Sequence, residues 1–245
     1  MGSSRFPGKP LCNILGMTMI EHCYKRCELN ANVSDIFVAT CDAVIKKTVE
    51  GFGGTAIMTD PNISRPGVRV AEAAQQLNLN KNDVVVVVQG DEPLVHPKMI
   101  DIAIRPLFEN ENILVSNLCT ELSSGEWTDP SEIKVVCDNK MNAMYMSRSP
   151  IPSTYHEEKR TKWWKQVCVM PFRWHFMKSF NYELKPTSLE LQESIEMLRA
   201  IQHGYKVRMV PTDFVSKSVD TDKDRIEVEN IMKNDKIYKE FINET

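Results

Sequence analysis

The 245-residue chain predicts an α/β layer fold with a mostly parallel sheet. Two observations carry that expectation. Through the first half, short β-branched runs alternate with segments of helical period, joined by brief turns, the rhythm of strands covered by helices. In the middle of this rhythm stands an unbroken run, Val84 to Val88. Consecutive β-branched residues are stiff at χ1 and suit a pleated strand, and a strand without apolar/polar alternation is one buried on both faces.

In order, the chain opens on a loop of small residues, with Arg5 and Lys9 on either side of Pro7-Gly8. Ile20, Cys23, Tyr24 and Cys27 fall on one face of a helix over 19–27. Residues 35–40 read as a strand, and Asp42 as the cap of a helix over 43–52 that Gly53-Gly54 ends. A short strand over 55–58, a proline-containing loop to residue 67 and a helix over 68–79 follow. After the valines, a helix is expected over 97–108. The rhythm then breaks. Residues 113–119, 133–137 and 143–147 read as strands with little helix between them, and 151–162 as a polar excursion. A strand over 166–170, one amphipathic helix over 189–202 and a strand over 206–210 come next. The last helix is capped by Thr221 or Asp222. No linker separates domains, so the chain reads as one domain, 1–245, with a β-rich inserted subregion.

Bulk properties exclude several classes. A net charge of −3 argues against a dedicated nucleic-acid binder, which carries a basic face. No apolar run approaches membrane-spanning length, so no membrane partner is expected. The seven cysteines include no Cys-x-x-Cys pair and no zinc set. An odd count without a secretory signal points to a reducing, cytoplasmic setting.

The valine run ends in Gln89-Gly90-Asp91-Glu92-Pro93, so two carboxylates sit just past the carboxyl end of a strand. In open α/β sheets that edge binds ligands, and an acidic pair there suits a hard cation shared with a phosphate. Asp91 as the cap of the next turn is an equal reading. In the first loop, glycine and serine allow close approach of backbone N–H groups to an anion, and Arg5 and Lys9 suit a polyphosphate. A frayed basic terminus is the alternative.

Five blocks in one order resolve these alternatives. Ser-Ser-Arg-Phe-Pro-Gly-Lys-Pro (3–10), Gln-Gly-Asp-Glu-Pro (89–93), Ile-Lys-Val-Val (133–136), Tyr-Met-Ser-Arg-Ser-Pro-Ile-Pro (145–152) and Val-Asp-Thr (219–221) closely resemble the 3-deoxy-manno-octulosonate cytidylyltransferase family. The resemblance spans nearly the whole chain. It implies a three-layer α/β/α nucleotidyltransferase fold with a mostly parallel mixed sheet, and a β-rich dimerisation subregion over residues 111–170. It also implies a homodimer that uses Mg²⁺, CTP and an acidic 2-keto-3-deoxy sugar. By this likeness Ser3, Ser4, Arg5 and Lys9 hold the triphosphate, and Arg69 and Gln89 lie at the base and ribose. Asp91 and Asp220 hold the metal, with Lys9, Arg5 and Asp91 catalytic. Arg148, Gln166 and Glu196 face the sugar.

The chain departs from that family in three places. Family members carry a strand ending in Pro-Ala-Arg ahead of the serine loop. Met1 falls where it would end, so the sheet is expected to lack a central strand. The base-pocket segment with a hydroxyl and a carboxylate reads Pro66-Gly67-Val68-Arg69 here. On the sugar side, a His-Ile-Gly strand reads Gln166-Val167-Cys168, and a glutamine beside Glu196 is Met197. The expected reaction is transfer of CMP from CTP to 3-deoxy-manno-octulosonate or a close analogue, such as its 8-amino derivative. The alternatives are another sugar or base, as in acylneuraminate-type enzymes, and a dimeric relative without catalysis.

Overall fold

A computed structural model describes residues 6–123, 125–155 and 162–243. A 3-10 turn, Lys9–Leu11, precedes a small hairpin of β1 (Asn13–Ile14) and β2 (Met17–Thr18). Strands of two residues leave no alternation to read, so this hairpin has no sequence signature. Helix α1 (Met19–Glu28) buries Ile20, Cys23, Tyr24 and Cys27, the face that its periodicity marks, and also Met19, His22 and Arg26. Strand β3 (Val38–Thr40) leads into α2 (Ala43–Gly51), where the Asp42 carboxylate accepts from the N–H groups of Val44 and Ile45. Strand β4 (Ala56–Met58) and helix α3 (Pro66–Gln75) follow. Helix α3 starts two residues earlier than expected because Pro66 has its φ preset for a first helical position and needs no N–H there.

Next come β5 (Val84–Val88), α4 (Pro97–Glu109), β6 (Ser116–Glu121), β7 (Lys134–Cys137) and β8 (Ala143–Ser147). They are followed by β9 (Trp164–Val167), β10 (Val169–Arg173), α5 (Trp174–Lys178), α6 (Ser188–Glu193) and α7 (Met197–Gln202). Strand β11 (Arg208–Pro211) and helices α8 (Asp222–Met232) and α9 (Lys236–Asn243) complete the order. The fold is α/β with mixed sheet.

Contacts group the chain into two compact units that interleave in sequence. The first takes Met1–Ala73, Val88–Asp101 and Val215–Thr245. In it β3 and β4 pair in parallel. One apolar cluster joins Ile14, Met19, Leu94, Val219, Val228, Met232 and Tyr238, and another joins Ile20, Ile45 and Val49. Each such side chain contributes roughly 1.5–3 kcal/mol on burial. The second unit takes Ala74–Val87 and Ile102–Phe214. Its larger sheet runs β11-β6-β9-β7-β8, parallel at β11-β6 and antiparallel at β6-β9, β9-β7 and β7-β8. Phe172, Phe176, Phe180 and Tyr205 pack against one another in the same unit, Phe172 stacked on Phe176 and the other rings tilted.

Three expectations need correction. The valines of β5 are not buried on both faces: only Val87 is fully buried, and among the described residues the strand pairs with β10 alone. The strand expected over 166–170 is two strands divided at Cys168, so β9 joins β6 and β7 while β10 joins β5. The single helix expected over 189–202 is broken. Ser194 adopts a left-handed conformation (φ 56°), which stops α6 before α7 begins. Of the excursion expected over 151–162, residues 156–161 lie outside the described residues. The cysteines are free, and burial pushes the Cys27 thiol up to about 12, so it stays uncharged.

One buried group of the first unit makes stability depend on pH. His22 is wholly buried, its Nε2 pairs with the Ile14 carbonyl at 2.8 Å, and its ring packs 5.8 Å from that of Tyr238. Nδ1 has no hydrogen-bond partner. Burial, aided by the nearby Arg26 and Lys25 charges, lowers the pKa to about 4, against a partial upward pull from Ile14 and Asp235. In the unfolded chain the ring takes its proton near pH 6.5. The stabilisation is therefore complete above that pH and is lost as pH falls towards 4, by roughly 3 kcal/mol across the window. The melting temperature should fall over that range in wild type, and His22→Gln should flatten the slope. An unchanged slope would refute the assignment.

Candidate active site

Three segments distant in sequence meet in the first unit. Gly8 takes a left-handed conformation (φ 73°) that non-glycine residues rarely adopt, and so turns the chain into the 3-10 turn that begins with Lys9. Residues 89–93 turn through a Glu92 N–H to Gln89 carbonyl bond of 3.2 Å. Residues 216–221 are stitched to that turn twice. The Val219 N–H donates to the Asp91 carbonyl (2.9 Å), and the Ser216 hydroxyl donates to Glu92 Oε2 (2.7 Å). Thr221 then caps α8, with its hydroxyl and Asp224 satisfying each other's N–H groups.

The result is a compact charge cluster. Lys9 Nζ donates to Asp91 Oδ2 at 2.6 Å and to Asp220 Oδ1 at 3.0 Å. The three side chains are only 13%, 20% and 28% exposed. Burial works against the lysine's charge, but Asp91 and then Asp220 outweigh it, and the pKa lies above the ordinary lysine value. The ammonium therefore stays charged across the neutral and alkaline range. Asp91 keeps one oxygen in reserve, because Oδ1 is buried without a hydrogen-bond partner. A buried carboxylate oxygen with no donor is costly unless something cationic or protic completes it. Among the described residues no group of three or more His, Cys, Asp or Glu side chains forms a metal cage. Two carboxylates are nevertheless the usual complement for a magnesium ion that takes its other ligands from phosphate and water.

The remaining expected residues fall in different places. Gln89 opens the turn that carries Asp91. Arg69, in the first turn of α3, donates to Thr59 Oγ1 (2.5 Å) and to the carbonyls of Asp60 and Ile63. Its guanidinium thus braces the loop over 59–63. Ser3, Ser4 and Arg5 lie outside the described residues. Arg148, Gln166 and Glu196 belong to the second unit. There the Gln166 amide nitrogen donates to Asn117 Oδ1 (2.5 Å) and Met170 Sδ (3.5 Å), and Glu196 sits at the N-cap of α7. Arg148 Nε and Nη1 donate to the carbonyls of Glu193 and Pro130.

Ser216 and Glu193 are the structural participants that sequence reasoning missed. Glu92, read with Asp91 as an acidic pair, is buried and accepts from Ser216. Ser216 and Glu193 carry no local pattern, because their partners are far away in the chain.

An α/β fold that gathers a shielded lysine from a 3-10 turn, a carboxylate past the end of β5 and another just before α8 suits a transferase acting on phosphate groups. A family model described as cytidylyltransferase matches residues 1–209, and the chain belongs to that family. It is 37% identical over 238 residues to a 3-deoxy-manno-octulosonate cytidylyltransferase of Geotalea uraniireducens (strain Rf4), covering 91% of both chains. It is 40% identical over 226 residues to an 8-amino-3,8-dideoxy-manno-octulosonate cytidylyltransferase of Shewanella sediminis (strain HAW-EB3), again covering 91% of each. Among solved structures it is similar to a CMP:2-keto-3-deoxy-manno-octonic acid synthetase complexed with CTP. That likeness has a TM-score of 0.87 and 33% identity, covering 95% of this chain and 94% of the other.

Proposed function

We propose that this protein transfers CMP from CTP to the anomeric hydroxyl of 3-deoxy-manno-octulosonate and releases pyrophosphate. The anomeric oxygen bonds to the α-phosphorus, the bond from that phosphorus to the bridging oxygen breaks, and the hydroxyl proton leaves to solvent. The relatives that bear this activity in their names support the reading, and the observation that carries it is the Lys9–Asp91–Asp220 cluster. In-line transfer at phosphorus asks a protein for positioning and charge neutralisation more than for covalent chemistry.

In this reading Lys9, with Arg5, Ser3 and Ser4, binds the triphosphate. Gln89 orients the nucleoside, and Arg69 shapes the base pocket through the loop that it braces. Arg148, Gln166 and Glu196 bind the acidic acceptor. Asp91 and Asp220 hold a divalent cation, which we infer is Mg²⁺. The orphaned Asp91 Oδ1 supports this, as does a lysine ammonium already held between the two carboxylates where positive charge is wanted. When bound, the ion neutralises the polyphosphate and makes the α-phosphorus a better electrophile. We further infer a cytoplasmic homodimer joined through the β-rich subregion; among the described residues no helix is long and apolar enough to cross a membrane.

The test is pyrophosphate release from CTP with 3-deoxy-manno-octulosonate, with its 8-amino analogue and with a nine-carbon sialic acid, each with and without Mg²⁺. CTP with the eight-carbon acid and Mg²⁺ should give the highest kcat/KM, and UTP, ATP and GTP little turnover. No turnover with any of these acceptors would overturn the reading.

A further inference from the structure

Glu193, which none of the family blocks contains, has the densest set of partners around any residue expected at the acceptor. Its Oε1 accepts from the Tyr145 hydroxyl (3.1 Å) and the Ser147 hydroxyl (2.7 Å). Its Oε2 accepts from the Arg148 N–H (3.0 Å), and its own carbonyl accepts from Arg148 Nε (3.0 Å). One residue therefore grips Arg148 twice, at the main chain through its carboxylate and at the guanidinium through its carbonyl.

The local fold explains why that carbonyl is available. Glu193 ends α6, and the left-handed Ser194 stops the helix there, leaving the final carbonyls without intrahelical donors. Arg148 Nη1 donates in turn to the Pro130 carbonyl (2.9 Å), and the buried Lys134 Nζ donates to the Arg148 carbonyl (2.9 Å). The main chain and one edge of the guanidinium are thus fixed from three sides. All of the guanidinium's partners among the described residues are neutral carbonyls. Among the described residues it makes no hydrogen-bonded ion pair and its Nη2 has no hydrogen-bond partner, which leaves that nitrogen for a carboxylate. Burial opposes the charge of the Glu193 carboxylate, but the Arg148 N–H, the two hydroxyls and the nearby Arg148 charge outweigh it, and its hydrogen bond goes to the backbone N–H, not to the guanidinium.

We propose that Glu193 is a positioning residue for the acidic acceptor: it sets Arg148 so that the open edge of the guanidinium meets the carboxylate of the sugar acid. The inference rests on the reading of Arg148 as an acceptor-binding residue. Glu193→Gln retains volume and can turn its N–H₂ to the two hydroxyls, which then accept, but it replaces a charged acceptor of the Arg148 N–H by a neutral one, so the grip weakens without a cavity.

Steady-state kinetics on Glu193→Gln, Glu193→Asp, Arg148→Ala and the double variant Glu193→Gln/Arg148→Ala test this. Glu193→Gln should raise the acceptor KM about tenfold with the CTP KM and kcat within about twofold, and Glu193→Asp should recover part of the loss. Arg148→Ala should raise the acceptor KM further, and adding Glu193→Gln should then change it by less than about twofold, because Glu193 acts through Arg148. An Arg148→Ala enzyme with unchanged acceptor KM would overturn the acceptor-site reading and the inference with it. If Arg148→Ala raises that KM while Glu193→Gln does not, or if the Glu193→Gln penalty is equally large in both backgrounds, the positioning role fails and the acceptor site stands. A parallel decline of kcat, both KM values and melting temperature would mean a structural role only, and would also overturn the proposal.

Discussion

Replacing Asp91 by Asn should reduce kcat for CMP transfer by at least about a thousandfold while the fold persists, the scale of losing a main electrostatic contributor to a transition state. The substitution conserves shape, so the turn over 89–93 should keep the Val219 bond to its main-chain carbonyl. What disappears is charge. Lys9 retains Asp220 at 3.0 Å, but the position at 2.6 Å loses its formal negative charge and the orphaned Oδ1 is no longer an anionic ligand for a cation. Asp220→Asn should act in the same direction. Circular dichroism and a melting temperature within a few degrees of wild type would separate lost chemistry from lost structure. Near-normal turnover in either variant would refute the assignment of the carboxylates.

The largest expected effect on stability lies in the second unit. Arg199 Nε and Nη2 donate to the two oxygens of Glu190 at 2.8 and 2.5 Å, its Nη1 donates to the Phe180 carbonyl at 2.9 Å, and its guanidinium lies 4.8 Å from the centre of the Phe180 ring. Glu190 is completely buried and Arg199 nearly so. Glu190→Ala would leave an uncompensated cation inside the protein, which costs about 3–5 kcal/mol. For a chain of this size that corresponds to a melting temperature lower by roughly 6–20 °C. Differential scanning calorimetry measures it directly, and a drop below 2 °C would show that water or a neighbour replaces the carboxylate.

These two predictions also mark what was legible in the sequence. Lys9, Asp91 and Asp220 stand in short segments punctuated by glycine, proline or threonine, so a turn at each was readable from local pattern, while the roles expected of them rested on the resemblance of the blocks that contain them. The pairing of Glu190 with Arg199 was not. Both residues fall on a helical period, and periodicity continues through Ser194 as if nothing happened there. The break depends on one left-handed residue and on partners 45 to 48 residues away, at Arg148 and Tyr145. The valine run was misread for a similar reason. Strand propensity is a property of the five side chains, but burial depends on which neighbours pair with the strand, and here β10 alone does so among the described residues. Pro66 shows the reverse, since its place at the head of α3 follows from covalent geometry within one residue.

The interleaving of the first unit has a consequence for biosynthesis. Lys9 meets Asp91 across 82 positions of chain and Asp220 across 211. Ribosomes add about 5–20 residues per second, so the lysine waits on the order of 10–40 s before its second carboxylate exists. Contacts of such separation close slowly because the intervening chain must first be ordered. The nascent polypeptide has no assembled charge cluster until residue 220 has been made, and α8 follows directly on the turn that completes it. The cluster is thus completed only in a chain whose second unit has already been delivered.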